Sequence, residues 1–201
     1  MVQKKYFLSV MFFVVFFTLL FNSITPVPSI CQDKVQIDQK NSLAPYVPTP
    51  VEVVKKMLEL ARVKKGDIVY DLGCGDGRIV VTAAKEYGVK GVGIDFNPKR
   101  VEEALANVKE NKVEDLVTIL QQDVMTVDLS AATVVTMYLL PESNLKLKPN
   151  LEKYLKKGAR VVSHDFSTEG WDPVQIEVVN DDKGYSHTLY LWVMGGQKKK
   201  K

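Results

Sequence analysis

The sequence of 201 residues predicts an α/β domain built on a mostly parallel sheet of seven strands with an antiparallel edge. Three observations predict this fold. Strand-like and helix-like segments alternate along most of the chain, a loop with alternate glycines follows the first strand-like segment, and the last two strand-like segments have no long helix between them. Alternation is typical of parallel βαβ units, whereas two strands joined by a short connection pair antiparallel.

The first 31 residues differ in composition from the predicted domain. Two lysines precede an uncharged run from Tyr6 to Phe21 that is rich in phenylalanine. This pattern is typical of a secretory signal peptide, with Val27 and Ser29 ahead of a cleavage point, and equally of an N-terminal anchor, because a membrane-spanning helix needs about 17 to 25 residues. We therefore expect residues 1–31 to be a signal peptide or membrane anchor that makes the protein membrane-associated, with the side of the membrane left open.

A linker is expected to precede the folded domain. Residues 32–50 are polar and then rich in proline, which favours an extended linker that ends as a lid over a ligand. Residues 51–196 are predicted to form the domain, which begins with a helix capped by Thr49 and carrying Pro50 at its first position. The further elements, in chain order, are the strand DIVYDL, the helix GRIVVTAAKEYG, the strand GVGID, the helix PKRVEEALANVKEN, the strands LVTILQQ and ATVVTMYLL, a helix from Glu142 to Leu155, and the strands RVVSHDF, VQIEVV and HTLYLWV.

Composition and charge restrict the possible partners. The content of 46% hydrophobic and 25% charged residues is typical of a globular domain. The formal net charge of +3 depends on six terminal lysines, four of them in a basic tail at residues 197–201, and without these six the chain has 21 basic and 24 acidic residues. A body with this balance lacks the basic surface that binds nucleic acid, so we expect no nucleic-acid partner.

The stretch VYDLGCGDGRIV is the first candidate site. Gly73, Gly75 and Gly77 occupy alternate positions between the first predicted strand and the next helix, where backbone N–H groups point toward the crevice above a parallel sheet. A dinucleotide site and an S-adenosylmethionine site compete here. A dinucleotide loop has the spacing G-x-G-x-x-G, and the carboxylate of Asp71 would repel a pyrophosphate but attract the ammonium of a methionine moiety. The sequence therefore favours S-adenosylmethionine.

Two further aspartates stand where predicted strands end. Asp95 closes GVGID, where a carboxylate can accept both hydroxyl hydrogens of a ribose in either kind of site. Asp123 follows LVTILQQ, where it can accept from an adenine amino group while Val124 contacts the ring. A lone aspartate at this place would more often cap a turn, but its order after Asp71 and Asp95 favours the adenine contact.

These segments carry a family resemblance. The order DLGCGDGR, GVGIDFNP and QQDVM resembles class I S-adenosylmethionine-dependent methyltransferases. The segments APYVPTP, ATVVTMYLLPESNLKLKPNL and RVVSHDF with Trp171 are similar to the archaeal broad-specificity protein lysine methyltransferases and their mitochondrial relatives, which modify the ATP synthase c subunit and the adenine nucleotide translocase. The resemblance implies a Rossmann-like methyltransferase sheet with S-adenosyl-L-methionine as cofactor. It also implies contacts of Asp71, Gly73 and Gly75 with the methionine part, of Asp95 with the ribose and of Asp123 with the adenine, and closure over the cofactor by Tyr46 and Thr49.

The acceptor side is predicted at the ends of two later strands. ATVVTMYLL lacks the Asn/Asp-Pro-Pro-aromatic sequence used on planar amino groups, which argues against a nucleobase. Tyr138 can instead supply a cation–π face for an alkyl ammonium, or it is a packed strand aromatic. Asp165 can orient the amine or cap a turn. His164 and His187 are expected to be core or edge residues, and no metal site is expected because no Cys/His cluster has the spacing of metal ligands.

We therefore expect an enzyme that acts as a monomer and transfers methyl groups from S-adenosylmethionine to lysine side chains of a protein substrate. Such a transfer needs an aligned nucleophile and exclusion of water more than it needs acid–base catalysis. Two alternatives stay open at this point. One is a small-molecule or lipid methyltransferase, and the other is a noncatalytic protein that binds the cofactor.

Overall fold

The computed structural model describes residues 46–196, and the predicted leader at residues 1–31 and basic tail at residues 197–201 lie outside the described residues. The helices are α1 (Val51–Leu60), α2 (Arg78–Tyr87), α3 (Pro98–Glu110) and α4 (Pro141–Tyr154). The strands are β1 (Ile68–Leu72), β2 (Lys90–Asp95), β3 (Val117–Gln121), β4 (Val134–Met137), β5 (Arg160–His164), β6 (Gln175–Asn180) and β7 (Ser186–Val193), and a 3₁₀ turn spans Val124–Thr126.

The strands form one seven-stranded sheet in the order β3-β2-β1-β4-β5-β7-β6. Strands β1 to β5 are parallel, and β7 lies antiparallel between β5 and β6. The predicted fold class is confirmed, including the antiparallel edge. The direction of the strand order reverses between β1 and β4, so the crevice where α/β sheets bind ligands lies above the carboxyl ends of these two strands.

Helices pack on both faces of the sheet. Successive residues of a strand point to opposite faces, and β4 shows the effect clearly. Val134 belongs to the same buried cluster as Val54 and Leu58 of α1, whereas its neighbour Val135 belongs to the cluster that contains Leu147 of α4. Because β4 is buried on both sides, the loop that leaves its carboxyl end has a fixed starting point.

The predicted cap of the first helix is wrong. The N-cap residue of α1 is Pro50, and no side chain caps this helix. The Thr49 side chain points to the sheet instead, with its Oγ1 atom 3.2 Å from Nδ1 of His164 on β5. Burial explains the difference, because Thr49 is buried with its hydroxyl against β5 rather than exposed beside the helix.

The fourth strand is shorter than predicted. It ends at Met137 and not at Leu140, because α4 already begins at Pro141 and residues 138–140 form the connection. Leu140, which precedes the proline, has the extended backbone that proline imposes on its neighbour. Tyr138 therefore lies just beyond the strand, in the loop at the carboxyl edge of the sheet.

The membrane localisation predicted from the N-terminal segment is contradicted. Within residues 46–196, no helix combines the length and the apolar character needed to cross a bilayer. The segment that suggested a leader or an anchor lies outside these residues.

Candidate active site

The glycine loop is fastened tightly to the second strand. The backbone N–H groups of Gly73 and Cys74 both donate to the carbonyl oxygen of Ile94 at 2.9 Å. Gly73, Gly75 and Gly77 all have positive φ angles, a conformation that other residues rarely adopt. The alternate glycines are therefore required by the backbone, and the loop presents main-chain atoms to the crevice.

Tyr46 lies directly over this loop. A Cβ atom added to Gly75 would stand 2.4 Å from Cε2 of Tyr46, so that any side chain at position 75 would displace the tyrosine ring. The guanidinium carbon of Arg100 lies over the Tyr46 ring, 4.2 Å from the ring centroid. The predicted lid segment thus covers the predicted cofactor loop.

Arg78 was not among the predicted site residues, yet it donates a hydrogen bond to the predicted lid segment. Its Nη1 atom donates to the carbonyl oxygen of Thr49 at 2.8 Å, and its Nη2 atom forms an ion pair with Asp76 at 2.5 Å. This ion pair keeps the pKa of the Asp76 carboxyl below its ordinary value although burial opposes the shift. An arginine directly after the third glycine was the available signal, but its partner could be found only in the folded chain.

Asp71 lies at the end of β1 and is 3% exposed. Its Oδ1 atom accepts a hydrogen bond from the hydroxyl of Thr136 on β4 at 2.8 Å. Burial, with smaller contributions from the nearby Asp95 and Asp76, raises the pKa of this carboxyl to about 7, although the hydrogen bond from Thr136 opposes the shift. A cation beside Asp71 would offset this cost, which fits the ammonium group of S-adenosylmethionine.

Asp95 holds the glycine loop in place and also faces the crevice above the sheet. Its Oδ2 atom accepts from the backbone N–H of Gly75 at 2.9 Å, and its Oδ1 atom accepts from that of Asn97 at 2.8 Å. Each carboxylate oxygen can still accept a second hydrogen bond. The residue therefore fits ribose hydroxyls, while burial raises the pKa of its carboxyl.

Asp123 and Val124 occupy the next position along the edge. The Oδ1 atom of Asp123 accepts from the backbone N–H of Met125 at 2.9 Å, which caps the 3₁₀ turn. Val124 is 5% exposed and belongs to the main buried cluster. The capping alternative is thus realised in the structure, and the adenine contacts of both residues remain a prediction.

Tyr138 and Asp165 are brought together on the acceptor side. The hydroxyl of Tyr138 donates to Oδ2 of Asp165 at 3.3 Å, and burial together with this carboxylate raises the pKa of the phenol. Asp165 has a φ of 59°, an uncommon conformation for a residue with a side chain, and its Oδ1 atom accepts from the backbone N–H of Thr188 at 2.9 Å. Both predicted acceptor residues therefore lie at the same end of the sheet as Asp71.

Sequence analysis missed a histidine pair beside Asp165. His164 at the end of β5 is fully buried, and its Nε2 atom lies 2.9 Å from Nδ1 of His187 on β7. The Tyr138 ring packs on His164 with 3.8 Å between the ring centroids, and burial lowers the pKa of His164. The two histidines are 23 positions apart, so only the antiparallel register of β5 and β7 could have revealed the contact.

Comparison with known proteins agrees with this geometry. The family model of the ANTKMT methyltransferase domain matches residues 71–175. A protein-lysine N-methyltransferase of Saccharolobus islandicus is 54% identical over 155 residues, which are 77% of this chain and 96% of that protein.

A more distant relative and a similar solved structure are also methyltransferases. The adenine nucleotide translocase lysine N-methyltransferase of Mus musculus is 32% identical over 147 residues, and the match covers 73% of this chain and 63% of that protein. The crystal structure described as an RNA methyltransferase from Salinibacter ruber in complex with S-adenosyl-L-homocysteine superposes with a TM-score of 0.71 and 48% identity, over 77% of this chain and 98% of that one.

The cofactor prediction is confirmed by these matches, since the glycine loop and buried carboxylates described above belong to the matched region and the similar solved structure holds S-adenosyl-L-homocysteine. With the family model covering just over half of the residues and the archaeal relative more than half identical, the chain belongs to the ANTKMT methyltransferase family and is an S-adenosylmethionine-dependent methyltransferase.

Proposed function

We propose that this methyltransferase acts on the side-chain amine of lysine residues in proteins. The observation that carries the proposal is the contact between the Tyr138 hydroxyl and Oδ2 of Asp165, 3.3 Å apart at the carboxyl edge of the sheet. An aromatic face beside a carboxylate suits an alkyl ammonium group. The archaeal relative at 54% identity and the mouse relative are both described as lysine N-methyltransferases, which supports the same acceptor.

The cofactor would lie between the glycine loop and the lid. Asp71 would receive the ammonium of the methionine part, and Asp95 would accept the ribose hydroxyls through the lone pairs that Gly75 and Asn97 leave free. The remaining proposed contacts are those of the Gly73 and Gly75 backbone with the methionine part, of Asp123 and Val124 with the adenine, and of Tyr46 and Thr49 as the covering residues. When bound, the cofactor supplies an electrophilic methyl group on a sulfonium.

The protein's part in the reaction is to hold the amine in line and to keep water away. Oδ2 of Asp165 would hold the lysine nitrogen while the face of the Tyr138 ring lies beside the ammonium group. The amine must lose one proton before its lone pair can form the new N–C bond as the S–C bond breaks. A positive charge beside it lowers the pKa of the amine below about 10.4, so the neutral form is reached more easily in the site than in water.

A second acceptor class has one observation in its favour. The Salinibacter structure, at 48% identity, is described as an RNA methyltransferase. The charge of the described residues opposes it, because 19 lysines and arginines stand against 22 aspartates and glutamates between Tyr46 and Gly196. Nucleic-acid binding depends on clustered positive charge. The loop after β4 also reads Tyr138-Leu139-Leu140 and so lacks the Asn/Asp-Pro-Pro-aromatic sequence used on planar amino groups.

The test separates acceptor classes in one experiment. Purified enzyme, S-adenosylmethionine with a deuterated methyl group and a cell lysate are incubated, and the protein, RNA and lipid fractions are analysed by mass spectrometry. We expect label on lysine, and we expect none with the Asp95→Ala variant, which should bind the cofactor poorly. Label confined to RNA or to lipid, or label in no fraction, would overturn the lysine assignment.

We further propose that the enzyme works as a monomer. Each cofactor and acceptor residue discussed above comes from one chain, so the site needs no residue of a second copy. Sedimentation velocity at the concentration of the assay checks this proposal. A dimer whose dissociation abolishes methyl transfer would contradict it.

A further inference from the structure

Two histidines and one aspartate meet at the end of β5. The Nε2 atom of His164, the Nδ1 atom of His187 and the Oδ2 atom of Asp165 form a small triangle with sides of 2.9, 3.4 and 3.6 Å. The methyl-transfer chemistry above uses Oδ2 of Asp165 but does not require the histidine pair, so an ion at this oxygen would compete with the lysine nitrogen proposed to bind there. We propose that this His164–Asp165–His187 cluster is a binding site for a divalent first-row transition metal ion such as Zn²⁺.

The dimensions of the triangle fit such an ion. Zinc lies about 2.0 to 2.2 Å from histidine nitrogens and carboxylate oxygens, so neighbouring ligand atoms in a tetrahedral or octahedral site stand about 3 to 3.5 Å apart. The observed separations of 2.9, 3.4 and 3.6 Å lie within about 0.1 Å of this range. Two imidazoles with one carboxylate also form a ligand set that binds first-row transition ions more tightly than Mg²⁺ or Ca²⁺.

Each ligand is held by a further group behind it. Nδ1 of His164 lies 3.2 Å from the Thr49 hydroxyl, and Nε2 of His187 lies 3.6 Å from Oδ2 of Asp181. The second oxygen of Asp165 accepts from the backbone N–H of Thr188. Such outer partners orient the ligands of metal sites and set which ring nitrogen carries the proton.

The proton positions required by a metal agree with these partners. An ion bound to Nε2 of His164 and Nδ1 of His187 places the ring protons on the opposite nitrogens. Both of these N–H groups then face acceptors, the Thr49 hydroxyl oxygen and the Asp181 carboxylate. In the described structure Nε2 of His187 is buried, and Oδ2 of Asp181 lies 3.6 Å away, just beyond hydrogen-bond distance.

The backbone of Asp165 gives an independent indication. Its φ of 59° lies in the left-handed region, where a residue with a side chain costs about 1 to 3 kcal/mol. This conformation brings the carboxylate back toward the histidine of the preceding position. An ion held there would connect β5, β7, the end of β6 near Asp181 and the lid through Thr49.

The chain contains only two histidines, so imidazole signals report on this site alone. The experiment titrates Zn²⁺ into the full-length protein labelled with ¹⁵N in histidine, without cofactor or acceptor, so that its outcome does not depend on the proposed substrate. We expect the signals of Nε2 of His164 and Nδ1 of His187 to shift with saturation at one ion, and Co²⁺ to give visible absorption bands that Zn²⁺ removes.

Variants identify the ligands. His187→Gln and Asp165→Asn should abolish saturable binding, and asparagine tolerates the left-handed backbone at position 165. Asp181→Asn should weaken binding about 10- to 100-fold, as loss of an outer partner does, whereas the control Asp182→Asn at the exposed neighbouring position should bind normally. If His187→Gln does not fold, the imidazole shifts of the unaltered protein and Asp165→Asn decide. Unshifted imidazole signals at saturating Zn²⁺, or undiminished binding by Asp165→Asn, would overturn the proposal.

Discussion

Oδ2 of Asp95 accepts a hydrogen bond from the backbone N–H of Gly75 at 2.9 Å, which joins the end of β2 to the glycine loop twenty residues earlier. The contact gives Asp95 two tasks, because the carboxylate that faces the proposed ribose site also holds the loop in shape. Loss of this side chain should therefore both remove a proposed ribose contact and loosen the glycine loop.

Asp95→Ala should weaken S-adenosylmethionine binding by about 1.5 to 3 kcal/mol, the usual range for hydrogen bonds to a charged group. Isothermal titration calorimetry measures the change. The control is Glu114→Ala, which removes an exposed carboxylate just before the start of β3, at the opposite edge of the sheet from the site, and should bind normally. An unchanged affinity of Asp95→Ala would remove the residue from the site.

Gly75→Ala should lower cofactor affinity through the lid. Its Cβ would collide with Tyr46, and its φ of 55° adds strain of about 1 to 2 kcal/mol. Gly88→Ala is the matched control, because Gly88 has a φ of 63° but open space around its Cβ. Thermal unfolding should show similar destabilisation in both variants, and only Gly75→Ala should lose affinity. Equal affinities would show that Tyr46 does not cover the cofactor.

Cofactor binding should become tighter as the pH rises from about 5 to about 7. The reason is that burial raises the pKa of Asp71 to about 7, so the free protein carries a proton that the ammonium of the cofactor must displace. The bound state holds fewer protons, and affinity therefore increases with pH until Asp71 is ionised in the free protein as well.

Calorimetry in buffers of different ionisation enthalpy measures this proton release directly. Asp71→Asn should bind more weakly and should release no proton in the same pH range. Proton release that persists in Asp71→Asn would assign the titration to another group.

Substitution of Tyr138 should distinguish its ring from its hydroxyl. Tyr138→Ala should lower kcat/KM for the lysine acceptor by about 2- to 30-fold, the equivalent of about 0.5 to 2 kcal/mol for a cation–π contact. Tyr138→Phe should retain more activity because it keeps the aromatic face and loses only the hydrogen bond to Asp165. Equal losses would indicate that the hydroxyl makes the decisive contact, and full activity in both variants would place the acceptor elsewhere.

Much of the fold could be read from local pattern. The alternation of strands and helices, the antiparallel edge and the ends of β1 and β2 depend on periodicity and on turn residues within a few positions. The ends of parallel strands share one edge, so Asp71 and Asp95 could be placed in one site before the structure was known. The family resemblance based on these motifs is confirmed by the comparisons. The predictions that failed are the membrane localisation drawn from the first 31 residues, the Thr49 cap of the first helix and the far end of β4.

The sequence by itself determined the sheet, the glycine loop and the carboxylates at the strand ends, because each follows from residue types at short and regular spacing. Only the tertiary structure decided that Thr49 contacts His164, 115 positions away, that Arg78 holds the lid and that His187 joins His164 and Asp165. Such contacts depend on strand register and on the packing of the lid over the sheet. Register is fixed by the burial of whole strand faces, and no short segment records it.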